Sequence, residues 1–274
     1  MDSSSYTIAP VADLARVRQF LLRDADYCAY ALGDLEPPYS AQATWYGARG
    51  TDELEALALL YEGLTPPILF LPGAESAVSA LLSHPIGPER VYATTRPEMR
   101  TVLETHYRVE HREHLFRMRL FPGQFTPIDR AQMDLNAPRR LTLAEAPDAQ
   151  RLIDECALHD GRDWGDIAFS SEMLTDGYYY GVADSDRLIA LGGTHIIGRQ
   201  GSVAAIGNIV THPGFRRLGL GGQVASAVTG ALVADGFETI VLNVNQKNEV
   251  ALKLYQKLGF SVRSAFEEAV CLRL

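Results

Sequence analysis

A glycine-rich turn between a predicted strand and a predicted helix is the part of this sequence best suited to bind an anion. Free backbone N–H groups at a helix N-terminus, with the positive end of the helix dipole, form a site for phosphate. Glycine lets the anion approach the backbone closely and tolerates positive φ. Two arginines add positive charge beside this turn. We call the segment the cradle; it consists of Arg216, Arg217, Leu218, Gly219, Leu220, Gly221, Gly222 and Gln223.

The residues that follow the cradle glycines exclude two common phosphate-binding motifs. A Walker A loop ends in Gly-Lys-Ser/Thr, whereas Gly222 is followed by Gln223 and Val224. A dinucleotide-binding fingerprint needs a third glycine three positions after Gly221, where Val224 stands. The cradle is therefore either a phosphate site of another kind or a helix start that packs closely.

Two motifs in the second half resemble those of the GCN5-related N-acetyltransferases (GNAT). Arg216-x-x-Gly219-x-Gly221 resembles motif A of that family. The stretch from Asn248 to Phe260, which contains Leu-Tyr-x-x-Leu-Gly-Phe, resembles motif B, and one helix and one strand separate the two motifs, as in the family. The resemblance covers residues 139–274. It implies an α/β (α+β) acyl-CoA N-acyltransferase fold, with a mixed, mostly antiparallel sheet flanked by helices.

The resemblance also implies an activity and a way to hold the cosubstrate. The activity is transfer of an acetyl or other short acyl group from acetyl-CoA to a primary amine, without a metal. Backbone N–H groups of the cradle would hold the pyrophosphate of coenzyme A, and the strand end at Ile209, Val210 and Thr211 would pair with the pantetheine amides. An extended chain with two amides suits a splayed sheet edge, whose backbone groups are unpaired. Asn208, directly after Gly207, is predicted to lie at a β-bulge that opens the sheet.

Asn248 and Tyr255 are the polar residues that the resemblance assigns to the second motif. They are seven residues apart, which places them on one helix face about two turns, or ~10 Å, from each other. In the family, the residue matching Asn248 hydrogen-bonds the cofactor and the residue matching Tyr255 protonates the departing sulfur. At reference pKa values this proton transfer is uphill by ~2 kcal/mol. The other interpretation of Tyr255 is an aromatic packed ahead of Leu258 and Phe260.

The sequence leaves open which group deprotonates the amine. An amine of pKa near 10 must lose a proton before it attacks. Where some family members have Glu on the central strand, this chain has Asn243, which cannot accept a proton at neutral pH but could orient a water. Trp164 and the run Tyr178–Tyr180 could line an acceptor pocket, although tyrosines in a strand more often serve packing. The other candidate bases are Asp163, Asp166, His159, Glu172 and His195.

Hydrophobic periodicity and turn residues predict the elements of the second half. Strands are expected at 140–144, 178–183, 188–196, 203–211 and 239–244, with a closing hairpin at 261–266 and 269–274. Helices are expected at 146–158, 219–234 and 248–258, with a short helical piece at 171–174. Asn248 is the predicted N-cap of the last helix, and Gly259 ends it.

The first half repeats this order more faintly, which indicates a diverged duplication. Helices are predicted at 11–22, 74–83 and 97–107, and strands at 43–48, 54–61, 68–71, 90–94 and 114–120. The final strand–helix–strand–helix–strand run matches the second half element for element. We therefore predict a degenerate GNAT-like domain at residues 1–122, a linker at 123–138 and an acetyltransferase domain at 139–274.

The first half lacks the residues that carry the resemblance. Where the cradle should follow a strand, the chain has Pro72, Gly73, Ala74 and Glu75, and a carboxylate at that helix start would repel a phosphate. We expect this half to cover the acceptor site and to stabilise the active half. An unrelated α/β domain or a dimerisation module is the alternative.

Net charge and composition argue against a nucleic-acid-binding protein and against a membrane protein. The formal net charge is −9, which argues against nucleic acid as a partner. Three widely spaced cysteines, no apolar run of about 18–20 residues and no signal peptide predict a cytoplasmic protein without a membrane span. The amine acceptor, a small molecule or a peptide, and the oligomeric state are not readable. A non-catalytic acyl-CoA sensor and O-acyl or acyl-carrier chemistry remain alternatives.

Overall fold

The computed structural model describes residues 6–51, 53–128, 137–161 and 169–274. The chain forms two compact units. Unit 1 consists of Met1–Arg117, Val244–Lys247 and Val262–Leu274, and unit 2 of Met118–Asn243 and Asn248–Ser261. The last strand of the chain therefore lies in unit 1, whereas the sequence pattern counted it with the domain at residues 139–274.

Both units contain helices and strands. The helices are α1 (Leu14–Leu21), α2 (Ala29–Gly33), α3 (Glu75–Leu82), α4 (Arg100–His106), α5 (Ala146–His159), α6 (Leu220–Ala234) and α7 (Glu249–Lys257). The strands are β1 (Thr7–Pro10), β2 (Ala43–Arg49), β3 (Leu54–Tyr61), β4 (Ile68–Phe70), β5 (Arg90–Thr95), β6 (Tyr107–Leu120), β7 (Arg139–Arg140), β8 (Tyr180–Asp184), β9 (Arg187–Gly198), β10 (Val203–Thr211), β11 (Thr239–Asn245) and β12 (Ser261–Arg273). None of the described helices is long and apolar enough to cross a membrane.

The sheet of unit 1 has the strand order β1-β2-β3-β4-β5-β12-β6. Neighbours from β1 to β4 are antiparallel, β4 and β5 are parallel and joined by α3, and β12 is antiparallel to β5. Helices α3 and α4 bury an apolar face on the sheet, as their spacing of apolar residues predicts. The core they form includes Ala58, Leu69, Val78, Leu81, Leu103 and Tyr107.

The end of the chain is one long strand, so the predicted hairpin at 261–266 and 269–274 is wrong. The acidic pair that separates the two predicted strands lies inside β12. Glu267 is 2% exposed and forms ion pairs with Arg100 and with Arg112 (Nε to Oε2, 3.2 Å). Glu268 accepts a hydrogen bond from the hydroxyl of Tyr92 at 2.7 Å. Because both carboxylates have partners in unit 1, the strand continues through a sequence that resembles a turn.

The stretch between β4 and α3 is bound to strand β3. Gly73 has φ of 139° and pairs with Ala56 as an antiparallel bridge, and a Cβ at Gly73 would overlap the Ala56 backbone. The N–H of Ala74 donates to the carbonyl of Glu55 at 3.0 Å. Glu75 lies in the first turn of α3. This backbone is bound to β3 and carries a carboxylate, which agrees with the expectation that the first half has no phosphate cradle.

The sheet of unit 2 has the strand order β11-β10-β9-β8-β7. Strands β7 to β10 pair antiparallel, whereas β10 and β11 are parallel and joined by α6. Unit 1 has the same pattern, in which antiparallel strands end in a parallel pair joined by a helix. The mixed, mostly antiparallel sheet confirms the predicted fold class, and the duplication stays a prediction.

Most predicted elements of unit 2 are present within one or two residues, but the first strand is not. The segment at 140–144 forms only the two-residue β7 and then a 3₁₀ turn. The reason is a capping box, in which the side chains of Thr142 and Glu145 satisfy each other's backbone N–H groups. This local hydrogen bonding competes with strand formation.

We expect Asp34 to make the stability of unit 1 depend on pH. Burial raises the pKa of this carboxyl to about 8. The folded chain therefore holds the proton more tightly than the unfolded chain, and stability falls as pH rises from about 4 to about 8, by at most about 1.4 kcal/mol per pH unit.

We expect Asp34→Asn to remove this decrease, so that its melting temperature exceeds that of the wild type at pH 8.5 by more than at pH 5. Asp186→Asn, in an exposed turn, is the control, and parallel pH curves for Asp34→Asn and wild type would contradict the assignment.

Candidate functional site

The parallel strands β10 and β11 separate part-way along their length. Their pairing runs from Val203 opposite Thr239 to Ile206 opposite Leu242 and stops there. β10 nevertheless continues to Thr211. Beyond the last pair, the edge of β10 that faces β11 has no ladder partner among the described strands, so its backbone groups can pair with an extended ligand.

Two β-bulges lie side by side at this point. In β9 the register with β10 skips His195. In β10 the register shifts between Gly207 and Val210, a stretch that contains Asn208 with φ of 53°. The predicted bulge at Asn208 is therefore present, and it faces a second one that the sequence did not predict. Bulges re-aim side chains and end pairing, and they are frequent beside active sites.

A chain of hydrogen bonds connects the two bulges. His195 Nε2 lies 3.0 Å from Asn208 Oδ1, Asn208 Nδ2 donates to the Tyr179 hydroxyl at 2.7 Å, and that hydroxyl donates to Met173 Sδ at 3.4 Å. Because the amide nitrogen of Asn208 faces Tyr179, its oxygen faces the imidazole, which must donate from Nε2. A neutral imidazole of this tautomer has its lone pair at Nδ1.

Burial lowers the pKa of His195 below its usual value, and the hydrogen bond with Asn208 partly opposes this decrease. No charged group contributes to the shift among the described residues. The imidazole is therefore neutral at pH 7, the form that can accept a proton.

Two glycines make room for these rings on one face of the sheet. A Cβ at Gly207 would overlap the His195 imidazole, and a Cβ at Gly193, which pairs with Gly207, would overlap the Tyr179 ring. Gly192 points to the other face, where a Cβ would meet side chains of β10 and α6. His195 and Tyr179 therefore lie on the face opposite α6.

The cradle is an exposed loop that leads into α6. Residues 216–219 are exposed, and both Arg217 (φ 69°) and Gly219 (φ 76°) adopt the left-handed region. Gly219 is the N-cap, no described side chain caps the helix, and the first intrahelical bond runs from Gln223 N to Gly219 O at 3.1 Å. The earlier N–H groups of a helix have no intrahelical acceptor. Those available to an anion belong to Leu220, Gly221 and Gly222.

Arg216 contributes less positive charge to the cradle than the sequence suggests. Its Nη1 and Nη2 donate to the two carboxylate oxygens of Asp160 at 2.8 and 3.0 Å, which raises the pKa of Arg216. Its Nε donates to the carbonyl of Thr211 at 3.2 Å, and Cys156 Sγ reaches the same oxygen at 3.4 Å. This carbonyl is therefore engaged before any ligand binds. Arg217 forms no ion pair with a described residue and is the cation left at the loop.

Asp160 is not among the site residues predicted from the sequence. Helix α5 ends beside this residue, and its partner lies 56 positions further along the chain. A carboxylate at a helix end carries no sequence signal for such a contact.

The cradle glycines serve different purposes. Gly219 is needed for its positive φ. A Cβ at Gly221 would lie 3.3 Å from Thr211 Oγ1, beside the strand end. A Cβ at Gly222 would lie 2.9 Å from side-chain carbons of both Leu254 and Ile128. Gly222 therefore lets α6 pack closely on α7. For this one of the three glycines, the reason for glycine is close helix packing.

Asn248 has the predicted role at the start of α7. Its Oδ1 accepts a hydrogen bond from the N–H of Ala251 at 3.0 Å. The amide oxygen is thus used as an N-cap, and a ligand would meet the Nδ2 group, which only donates. Gly259 follows the helix with φ of 102°, and a Cβ there would overlap the carbonyl of Gln124.

Tyr255 lies in the last turn of α7 and is 8% exposed. Its ring centroid is 6.1 Å from that of Phe260, in an edge-to-face arrangement. Burial raises the pKa of Tyr255 to about 12, so the phenol keeps its proton at all physiological pH values. The preceding residue, Leu254, is the one that packs on Gly222 and so joins α7 to the cradle.

The structure separates the candidate bases by position. Asn243 directly follows Leu242, the last paired residue of β11, and is half-buried where the strands part. His159 and Glu172 are exposed, at the end of α5 and in a 3₁₀ turn. His195 is the candidate that the structure places at the facing bulges.

The tyrosine run packs rather than lining a pocket. Tyr178 donates to Asp235 Oδ2 at 2.6 Å, Tyr179 is buried, and the hydroxyl of Tyr180 accepts a hydrogen bond from Arg140 at 3.4 Å. The remaining residues proposed for the acceptor side, Asp163, Trp164 and Asp166, lie outside the described residues.

Comparison with known proteins finds a family model that matches part of the chain and solved structures with a similar fold. Residues 143–260 match the model of the acetyltransferase (GNAT) family. Similar solved structures include a Drosophila protein, with 14% sequence identity and a TM-score of 0.70 over 98% of this chain and 99% of the other. A GCN5-related N-acetyltransferase from Sphaerobacter thermophilus has 13% sequence identity and a TM-score of 0.60 over 100% of this chain and 97% of the other. A tandem GNAT protein from the clavulanic acid biosynthesis pathway is also similar, with 12% sequence identity and a TM-score of 0.57 over 98% of each chain. The curated proteins contain no significant match.

The left-handed N-cap predicts opposite effects of two glycine substitutions. Gly219→Ala places a Cβ on a residue with φ of 76° and should destabilise unit 2 by about 1 kcal/mol. Gly230→Ala, inside α6, meets only ordinary contacts at 3.4 Å or more with Phe125 and should stabilise by about 0.5–1 kcal/mol. Chemical denaturation measures both. Equal effects of the same sign would show that the loop conformation is not constrained at Gly219.

Proposed function

Because residues 143–260 match the model of the acetyltransferase (GNAT) family, we propose that this protein transfers an acetyl or other short acyl group from acetyl-CoA to a primary amine. The amine belongs to a small molecule or a peptide. The observation that carries the proposal is the uncapped start of α6, which follows a strand that has separated from its neighbour. This arrangement supports binding of a ligand that has both a diphosphate and an extended amide chain.

The cradle holds the pyrophosphate through backbone N–H groups. The positive end of the α6 dipole and the N–H groups of Leu220, Gly221 and Gly222 act together. Arg217 adds a cation at the exposed loop. The Nδ2 group of Asn248 donates a further hydrogen bond to the cosubstrate.

The pantetheine chain takes the place of a strand beside β10. Its amides pair with backbone groups of Ile209 and Val210, on the edge that β11 has left. The carbonyl of Thr211 is engaged by Arg216, so Thr211 contributes less to this ladder than the resemblance implies. The thioester then lies near the bulge at Asn208, where pairing of the two strands ends.

In the reaction the amine nitrogen bonds to the thioester carbonyl carbon, the C–S bond breaks and the sulfur leaves as a thiolate. Tyr255 donates its proton to that sulfur. With a phenol pKa of about 12, the transfer to a thiolate of reference pKa near 8.5 is uphill by about 5 kcal/mol, more than the ~2 kcal/mol expected from the sequence. A buried thiolate also has a raised pKa, which reduces the difference. The cost is small beside an enzymatic barrier.

We assign the removal of the amine proton to His195. Its imidazole lies beside the bulge, and burial keeps it in the neutral form that can accept a proton. Asn243, at the end of the paired part of β11, cannot accept a proton at neutral pH and instead orients a water or the amine. The role of unit 1 in this proposal is to support the active unit, as a tandem GNAT-like domain.

Turnover of acetyl-CoA with a panel of amines tests the proposal, and Tyr255→Phe tests the proton donor. We expect the variant to bind coenzyme A as the wild type does but to lose about 10²- to 10⁴-fold in kcat, the usual contribution of general acid catalysis. Tyr180→Phe, which removes a hydroxyl from a packed tyrosine, is the control. Unchanged turnover in Tyr255→Phe would defeat the assignment.

The same measurements separate an enzyme from a non-catalytic acyl-CoA sensor. The sensor is favoured by Asn243, which stands where some family members have a carboxylate. Tight binding of coenzyme A, together with no product from any amine in a mass-spectrometric screen, would support the sensor.

The base assignment predicts a change in the pH profile. For the wild type, kcat/KM should fall as pH decreases through the pKa of His195, below 6.5, because the imidazole becomes protonated. In His195→Asn the inflection at the pKa of His195 should vanish and activity should drop about 100-fold, which leaves only the increase in rate that free amine causes as pH rises. His159→Gln, at an exposed imidazole, is the control. An unchanged profile in His195→Asn would exclude it as the base.

A further inference from the structure

The end of helix α5 is tied to the loop that forms the cradle. Arg216 joins them through a bidentate ion pair with Asp160 (2.8 and 3.0 Å) and through its Nε, which donates to the carbonyl of Thr211 at 3.2 Å. We call these three residues the clasp. Bidentate arginine–carboxylate pairs fix geometry as well as adding energy, and both side chains are partly buried (38% and 26% exposed).

A second set of contacts joins the same two segments. Cys156 Sγ lies 3.4 Å from the Thr211 carbonyl oxygen. The guanidinium of Arg187 donates to Glu155 at 2.7 Å and lies 3.1 Å from Nε2 of His212. The last turn of α5 therefore meets the end of β10 at several points, of which the clasp is the one that reaches the cradle.

The loop after the clasp needs such support. Arg217, with φ of 69°, is in a region that costs free energy for a residue with a Cβ, and Gly219 is also left-handed. Arg217 is exposed, so burial of its side chain does not hold it in this conformation. Conformations of this kind persist when surrounding contacts over-determine them. The residue next to Arg217 is Arg216, fixed by three hydrogen bonds.

We propose that Asp160 is a positioning residue for coenzyme A binding, acting through Arg216 to hold the cradle with its N–H groups directed at the pyrophosphate. The proposal rests on the proposed function, since it assumes that the cradle receives this ligand. Asp160 itself touches no ligand. In this arrangement the positive charge of Arg216 is neutralised, and its contribution to binding is conformational.

The competing possibility is that Arg216 leaves Asp160 and binds the phosphates itself. The two possibilities predict opposite signs for Asp160→Asn. If the clasp positions the loop, removing the carboxylate charge frees the loop and weakens binding. If Arg216 binds phosphate directly, the substitution releases it and strengthens binding.

Titration calorimetry with coenzyme A, followed by kinetics, tests the proposal. We expect Asp160→Asn to raise the Kd about five-fold, and to raise KM for acetyl-CoA by a similar factor with kcat unchanged. Asp148→Asn removes an exposed ion pair with Arg151 on the same helix and should leave Kd unchanged. An unchanged or lower Kd in Asp160→Asn would overturn the proposal, as would a drop in kcat at constant KM.

Arg216→Lys provides an independent variant if Asp160→Asn does not fold. Lysine keeps the charge but cannot form the bidentate pair, so Kd should rise here too, and an unchanged Kd would overturn the proposal. The double variant should bind no more weakly than the weaker single one, because both changes break the same clasp. Failure of the proposed function gives a different result, since the wild type itself would then show no heat of association with coenzyme A.

Discussion

The separation of β10 from β11 after Ile206 is the constraint on which the rest of unit 2 depends. A parallel pair that continued would satisfy its own backbone groups and leave no edge for a ligand. The two facing bulges coincide with the end of the pairing, and each inserts a polar residue, His195 and Asn208, beside the sheet. Buried polar groups are costly unless they are hydrogen-bonded. The chain from His195 through Asn208 and Tyr179 to Met173 meets that requirement and fixes the imidazole tautomer.

Around the open edge, two helices hold the loop that we propose binds the pyrophosphate. On one side Leu254 of α7 packs where a side chain at Gly222 would be. On the other side Asp160 binds Arg216. The N-terminus of α6 is thus held in place by packing and by an ion pair, while its first N–H groups stay without a cap. A helix start of this kind binds an anion without reorganising, and preorganisation reduces the entropic cost of binding.

The sequence predicted the parts of this structure that local rules govern. The strands at 54–61 and 203–211 have the predicted bounds, and Asn248 is the predicted cap, because hydrophobic patterning and capping depend on neighbours in the chain. Contacts between distant residues were not predictable. The sequence predicts Glu267 in a turn, whereas in the structure it lies in a strand and forms ion pairs with Arg100 and Arg112. Likewise, the sequence predicts Arg216 as a cation for phosphate, whereas in the structure it binds Asp160, which lies 56 positions earlier in the chain.

The two units show how one arrangement of strands can lead to different helix starts. In unit 1 the parallel strand β4 ends at Phe70 and α3 begins at Glu75, so residues 71–74 connect them. In unit 2, β10 ends at Thr211 and α6 begins at Leu220, so residues 212–219 connect this strand and helix. The shorter connection keeps the backbone paired with β3, through the bridge between Gly73 and Ala56. The longer one has room for an exposed, left-handed turn before the helix. Within a shared topology, the length and conformation of this one connection therefore decide whether the backbone before the helix pairs with a neighbouring strand or forms a loop with left-handed residues.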